Sequence, residues 1–456
     1  MLASTASVAR LRLPARRMGG RAPNLRDSAS TSSFSQHEHE RGSSASHKLV
    51  SFYALAHVPN PQDLAHSHRR MCQSLGIRGR IYISSQGINA QLSGAGDVAI
   101  DYANFVLSDS RFANARFTVS DIESHAFPRL RVKNKELVQQ ANWWRVDPSR
   151  EGAGGIRLSP HEWKRALDRL NSCTSDSSKC TSSAADQSNS EDSDSPQLLR
   201  ESDADPANKQ PLLLDVRNAY EWDAGAFNGS IRPEGVDSFR HMLDEQVSTG
   251  GALDVSSNEA KERPVMMYCT GGIRCEFYSE ALKQQGFKEV YQLDGGIERY
   301  LREVGSEHWN GALFTFDDRL ALAPDGQTPA SKADDESLKQ LECFCCKQHN
   351  ARAPHRNCAN PDCNRLFLCC DECAEAYHGA CSTDCMHVES KRPLIQLGES
   401  YTRLATYVDD EATVYARRGG GREKRRKRYR KRKSESNENC HSEEEQSARK
   451  AVHAGD

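Results

Sequence analysis

The 456-residue chain has no uninterrupted apolar run approaching the ~18 residues that a membrane-spanning helix requires. An integral membrane protein is therefore excluded, and no membrane partner is expected. Core-forming residues are also scarce. Hydrophobic residues make up 37% and aromatics 7% of the sequence, whereas a globular chain has about 45–50% apolar residues. At ~150 residues per domain the length suits about three domains, but part of it must lie outside any packed core. A dinucleotide-binding glycine fingerprint and a redox-metal motif are both missing, so neither flavin nor haem is expected. Acidic residues are absent from Met1 to Arg26, which hold six arginines (Arg10, Arg12, Arg16, Arg17, Arg21 and Arg26) ahead of a Ser/Thr stretch. An arginine-rich, acid-poor start without a long apolar core reads as an organelle transit peptide over residues 1–47, mitochondrial or chloroplastic. If that stretch is only a basic disordered terminus, nucleus or cytoplasm is the alternative location.

What is present is unevenly placed. Ten of the 16 cysteines lie between Cys343 and Cys385, which points to a metal module and away from a secreted disulfide framework. The net charge of −2 conceals Arg417–Lys433, with twelve Lys and Arg against one acid, Glu423. A modestly acidic body thus carries a cationic arm of the kind that binds polyanions.

Residues 48–145 read as an α/β domain. Leu49–Ala56 is strand-like, Asn60-Pro61 opens a helix that Gly76 closes, and Ile77–Ser84 and Ile88–Leu92 are strands around Gly87. A helix over Asp97–Leu107 and a strand at Ala115–Val119 complete a βαββαβ, ferredoxin-like order, which by itself implies no activity. In Phe127–Leu137, Arg129, Arg131, Lys133 and Lys135 fall at every second position, with Leu130 and Val132 between them. On a strand the four cations share one face and could track phosphates, or simply face solvent. A linker helix is expected over 146–170. Residues 171–210 hold eleven serines and eight acids, too polar to offset ordering entropy, and read as a disordered insert.

A second α/β unit spans 211–310. Leu212–Leu214 leads into Asp215-Val216-Arg217, and Pro264–Tyr268 runs directly into Cys269-Thr270-Gly271-Gly272-Ile273-Arg274 and a helix beginning near Cys275. Strands alternating with helices imply a parallel sheet, whose site lies beyond the strands' C-terminal ends. Cys269 sits at such an end. The glycines allow a tight bend, the helix N-terminus directs N–H groups at one point, and Arg274 adds a charge. All three favour a thiolate at Cys269 and would cradle an anion on its sulfur. Cys275 is either a redox partner of Cys269 or a small buried residue.

Asp215-Val216-Arg217, Cys269–Arg274 and Leu293-Asp294-Gly295-Gly296-Ile297 together resemble the rhodanese domain, which moves sulfane sulfur through a cysteine persulfide. The resemblance implies a loop too short for the phosphate of related phosphatases. With the N-terminal domain, the string Cys269–Glu276 and the Cys-rich segment, the chain from about Lys48 to Met386 looks like the bacterial tRNA uridine hydroxylase family, which forms 5-hydroxyuridine at the wobble position. The resemblance implies that Cys269 is catalytic, that tRNA is the partner, and that Asp215 and Arg217 support the site. A thiolate adding to C6 of uracil would leave C5 electron-rich and ready to take oxygen. A thiosulfate or persulfide sulfurtransferase, and a non-catalytic zinc-stabilised RNA adaptor, are the alternatives.

Residues 340–390 read as a zinc module, because thiolates in close pairs build tetrahedral sites. Two ions are expected, one on Cys343, Cys346, Cys369 and Cys373 and one on Cys358, Cys363, Cys381 and Cys385. Cys345 and Cys370 are possible substitutes, and His349, His355, His378 and His387 lie close by. Residues 391–456 read as a disordered basic tail whose Arg417–Lys433 contacts RNA or serves as an import signal.

Overall fold

The computed structural model describes residues 47–138, 147, 149–150, 152–175, 198, 210–232, 239, 257–389 and 391–398. The transit reading over 1–46, most of the acidic insert, and the tail from 399 with Arg417–Lys433 fall outside the described residues.

The N-terminal sheet is built from β1 (His47–Leu55), β2 (Arg78–Ser84), β3 (Gly87–Ala95), β4 (Arg116–Ile122) and β5 (Leu130–Asn134), in the order β4-β1-β3-β2-β5. Helices α1 (Pro61–Ser74) and α2 (Val98–Leu107) cover one face. They bury Ala65, His68 and Cys72, and Tyr102, Ala103 and Val106, against Val50, Phe52, Ile81, Ile83, Ile88, Leu92 and Val132. The strand residues alternate by two and the helix residues recur by three and four, as a two-layer core demands. Gly87 makes the β2–β3 hairpin possible: its φ is +130°, and a Cβ there would meet the Ala54 carbonyl oxygen at 2.0 Å. The βαββαβ reading holds, with β5 added parallel to β2.

The second sheet is fully parallel, in the order β6-β10-β9-β7. Its strands are β6 (Ile156–Leu158), β7 (Leu212–Asp215), β9 (Val265–Tyr268) and β10 (Val290–Leu293). Every residue of the last three is buried, because helices lie on both faces and leave no solvent side for alternation to mark. On one face, α3 (Pro160–Ser175) and α7 (Gly296–Glu303) bury Trp163, Leu167, Ile297 and Tyr300. On the other, α6 (Ile273–Gln284) buries Cys275, Phe277, Tyr278 and Leu282. Between β7 and β9 lie α4 (Ala219–Ala224), β8 (Gly225–Phe227) and the short α5 (Asn258–Lys261); β11 (Trp309–Gly311) returns antiparallel to β8.

One boundary differs from the sequence reading. The part of the expected linker helix from Ile156 onward belongs to the sheet domain: β6 is the edge strand beside β10, and α3 packs on the sheet and runs on to Ser175, inside the expected insert. Three strand residues are too few to display a period. The helix start is nonetheless marked, since the Glu162 carboxylate accepts from the Ser159 N–H at 2.7 Å and its hydroxyl at 2.7 Å, a capping box.

The cysteine-rich segment is not detached. Ala353, Leu341 and Leu366 share a cluster with Tyr220 and Ala224 of α4 and with Phe314. If α3 is part of the parallel-sheet core, Trp163→Ala should lower unfolding stability by about 3–5 kcal/mol, the usual cost of deleting a buried aromatic. Urea titration followed through that domain's transition checks this; a loss below ~1 kcal/mol would return α3 to the role of a linker.

Candidate active site

Strand β9 delivers Cys269 to the end of the parallel sheet, and the chain turns at once into α6. Gly272 takes φ +95° as the residue before the helix, a conformation other residues resist. Its N–H donates to Cys269 Sγ at 3.1 Å. The loop is held from the other side by the first turn of α7. Ile297 N–H donates to the Cys269 carbonyl at 3.1 Å and Glu298 N–H to that of Thr270 at 3.1 Å. Gly296 allows this approach, since a Cβ there would lie 2.4 Å from the Thr270 carbonyl oxygen. The segment Leu293–Ile297 thus fixes the cysteine loop.

Cys269 is fully buried. Burial pushes its thiol up, but the hydrogen bond from Cys275, the Arg274 charge and the N–H groups of Cys275 and Arg274 outweigh this and bring it down to about 6. Cys275 is the converse case: burial, its hydrogen bond to Cys269 and the charge of Cys269 push it well above the ordinary thiol range. The pair is one thiolate and one donating thiol.

Arg274 does not stand alone. Its Nη1 and Nη2 donate to the Glu221 carboxylate at 2.6 and 2.8 Å, and Nη2 also reaches Thr270 Oγ1 at 3.0 Å. Thr270 Oγ1 in turn donates to Glu221 at 3.0 Å. Burial would raise Glu221, but Arg274 and Arg217 pull it below the usual carboxylate range. Glu221 occupies the first turn of α4, where it closes a capping box with Asn218. Asp215 and Arg217 form a fully buried two-pronged pair, and Arg217 also donates to the Gly225 carbonyl at 2.6 Å. They tie the end of β7 to β8 and make no hydrogen bond to Cys269.

A cleft of about 1320 Å³ separates the loop from the helix-free face of the N-terminal sheet. Thr270, Gly271, Ile273 and Arg274 line one side; Tyr53, Arg80, Tyr82, Asn89 and Gln91 line the other. Tyr53 Oη crosses to donate to Glu276 at 2.8 Å, and Arg157 and Gln292 complete the carboxylate's partners at 2.8 and 3.0 Å. Glu298 borders the cleft beside Gly271. Burial, with Asp317 and Cys269 nearby and Arg319 and Arg302 opposing, raises it to about 7. Glu221, Glu276, Glu298, Tyr53 and Arg157 escape the sequence reading; only Glu276, next to Cys275, is in a local motif.

The four predicted cations are divided. Arg131 and Lys133 lie on β5 opposite Arg80 and Tyr82, on the face away from the helices. Arg129 and Lys135 flank the strand, and Lys135 Nζ lies 5.1 Å from the Tyr82 ring centre and borders the cleft.

In the cysteine-rich segment two sets of four sulfurs lie within 4.8 Å of one another: Cys358, Cys363, Cys381 and Cys385, and Cys343, Cys346, Cys370 and Cys373. The first is the set read from the spacing. In the second, Cys370 takes the place expected for Cys369. Cys370 precedes a helix with its N–H on Cys343 Sγ at 3.4 Å, while Cys369 turns toward Cys345, 3.9 Å away. Neither set includes a histidine; His355 is buried against Phe314 and Tyr220. Each set could hold a metal ion.

Three known families match the chain: residues 47–138 the UPF0176 acylphosphatase like domain, 195–303 the rhodanese-like domain, and 310–386 the rhodanase C-terminal segment. Rhodanese-like domain-containing protein 8, chloroplastic, of Arabidopsis thaliana is 36% identical over 395 residues, 80% of each chain. The tRNA uridine(34) hydroxylase of Chlamydia abortus is 38% identical over 339 residues, covering 74% of this chain and 86% of the relative. That of Protochlamydia amoebophila is 36% identical over 346 residues, covering 76% and 90%.

The cradle makes a pH prediction. Cys269 should pass from thiol to thiolate around pH 6, being protonated below and ionised above. The ultraviolet thiolate absorbance of wild type minus Cys269→Ser, titrated from acid to base, reads this directly. Cys275→Ala removes a donor to the thiolate and should move the midpoint upward; an unchanged midpoint would show that Cys275 is only packing.

Proposed function

This chain belongs to the rhodanese-like tRNA uridine(34) hydroxylase family, and we propose that it converts the wobble uridine of a tRNA to 5-hydroxyuridine through Cys269. The observation that carries the reading is a thiol lowered to about 6 in a loop that floors a cleft with an aromatic and cationic opposite wall. A base can be reached there only after leaving its stack. The thiolate adds to C6 of the uracil, and electron density moves to C5 and the O4 carbonyl. C5 then takes one oxygen atom of dioxygen as its hydroxyl, and the other leaves as water with two electrons and two protons from an external reductant such as a small thiol. Loss of the C5 proton expels the thiolate and restores the ring. Arg274 and the loop N–H groups hold the sulfur anionic before attack and after release. Glu298, raised to about 7 at the border of the cleft, would take the proton.

The same cradle would hold a persulfide, so sulfur transfer from thiosulfate is the competing chemistry. Liquid chromatography and mass spectrometry of tRNA nucleosides separate the two. Wild type should restore 5-hydroxyuridine in a deletion strain and Cys269→Ser should restore none. Thiocyanate formation from thiosulfate and cyanide with no change in 5-hydroxyuridine would establish the sulfurtransferase instead.

The two thiol sets would each hold one structural zinc. A tetrahedral site with Zn–S of about 2.3 Å has sulfurs ~3.8 Å apart, and the pairs Cys363–Cys381, Cys381–Cys385 and Cys346–Cys370 stand at 3.7, 3.9 and 3.9 Å. Bound zinc supplies folding energy to a segment with little apolar core. The cations of β5 and the arm Arg417–Lys433 would contact tRNA phosphates. The basic start and the chloroplastic relative support an organelle location. Elemental analysis should find two zinc ions per chain in wild type and in Cys369→Ser, but fewer in Cys370→Ser. The reverse pattern would restore the pairing read from spacing.

A further inference from the structure

The helix-free face of the N-terminal sheet carries more than cations. Strand register places Tyr53 on β1, Asn89 on β3 and Tyr82 on β2 in one row across the sheet, and Gln91 and Arg80 in the next. All five line the cleft opposite Thr270, Gly271, Ile273 and Arg274 of the loop that follows Cys269. Register neighbours are about 4.8 Å apart, so the Asn89 amide stands between two tyrosine rings. Tyr53 fixes the row's distance from the nucleophile. Its Oη lies 3.1 Å from where a Cβ on Gly272 would be, and Gly272 N–H contacts Cys269 Sγ.

Asn89 and Gln91 are half-buried, and among the described residues neither side-chain amide has a hydrogen-bond partner. Both line the cleft and neither belongs to the buried polar atoms sealed from water, so their amides are open to a ligand that enters it. Their chemistry is specific: a carboxamide offers a donor and an acceptor side by side, which matches the N3–H and carbonyl oxygen of a uracil edge. Flanking aromatic rings offer stacking surface for a base, and Arg80 and Lys135, the latter resting against the Tyr82 ring until displaced, supply positive charge at the same cleft.

We propose that this face is the nucleobase platform of the site, with Asn89 and Gln91 holding the uracil edge and Tyr82 stacking on the base delivered to Cys269. This rests on the uridine reading above for the identity of the base, not for the existence of the platform. The consequence is that the N-terminal domain selects the nucleoside while the parallel-sheet domain performs the chemistry.

The test uses the full chain and an anticodon stem-loop RNA carrying 4-thiouridine at the wobble position. Photo-crosslinking followed by peptide mass spectrometry should place the crosslink within β2–β3, residues Arg78 to Ala95. Asn89→Ala with Gln91→Ala should raise KM for the unmodified stem-loop on the order of tenfold, leaving the Cys269 titration midpoint in place. Tyr82→Leu should raise KM as well, and Tyr82→Phe should recover most of that loss, because only Phe keeps a stacking ring. A crosslink confined to other segments, or an unchanged KM in the amide double variant and in Tyr82→Leu, would overturn the platform. A β2–β3 crosslink without any 5-hydroxyuridine from wild type would instead sink the hydroxylase reading and leave the platform standing.

Discussion

Everything in the site follows from keeping a negative sulfur inside a protein. Burial alone would make Cys269 a poor nucleophile. Three sources of compensation are brought to it: the turn's N–H groups, the Cys275 thiol and the Arg274 guanidinium. The last is effective only if it is held. Glu221 does so with two hydrogen bonds, and Asn218 holds Glu221 through the cap of α4. Tyr220, beside Glu221, packs in the same apolar cluster as Phe314 and Ala353. The cysteine-rich segment therefore buttresses the helix that positions the anion's counter-charge. Its thiol sets are structural in this view, yet their loss would reach the chemistry through α4.

The second constraint is the approach of the two α/β layers. Tyr53 and Arg157 converge on Glu276, a buried carboxylate on the first turn of the helix that follows the loop. The Glu276 carboxylate can be buried because these donors satisfy it, while Arg157 keeps much of its side chain in solvent, so losing a donor would be costly. This convergence sets the height of the cleft above Gly272. A domain whose fold implies no activity becomes part of the site through one tyrosine.

Much of this is legible in the sequence where the physics is local. Strand, nucleophile, paired glycines and arginine are contiguous from Val265 to Arg274, and the alternation in β1–β3 shows which side is core. The remainder depends on residues distant in the chain. Glu221 is 53 positions from Arg274 and Tyr53 is 223 from Glu276, with no pattern to announce either pairing. Strand β6 is three residues long and shows no period. The choice between Cys369 and Cys370 turns on a one-residue rotation of the backbone before a helix, which spacing cannot register. Glu298 follows the glycine pair in plain sight, but its character comes from burial beside the loop.

In the proposed mechanism Cys269 forms a carbon–sulfur bond to C6 of the target uracil. An anticodon stem-loop with 5-fluorouridine at the wobble position, whose C6 is more electrophilic, tests it most directly when incubated without dioxygen. A protein–RNA adduct stable to denaturation should form, mapped by mass spectrometry to Cys269 and missing in Cys269→Ser. RNA that binds without any adduct, in a preparation that still hydroxylates ordinary tRNA in air, would contradict that mechanism.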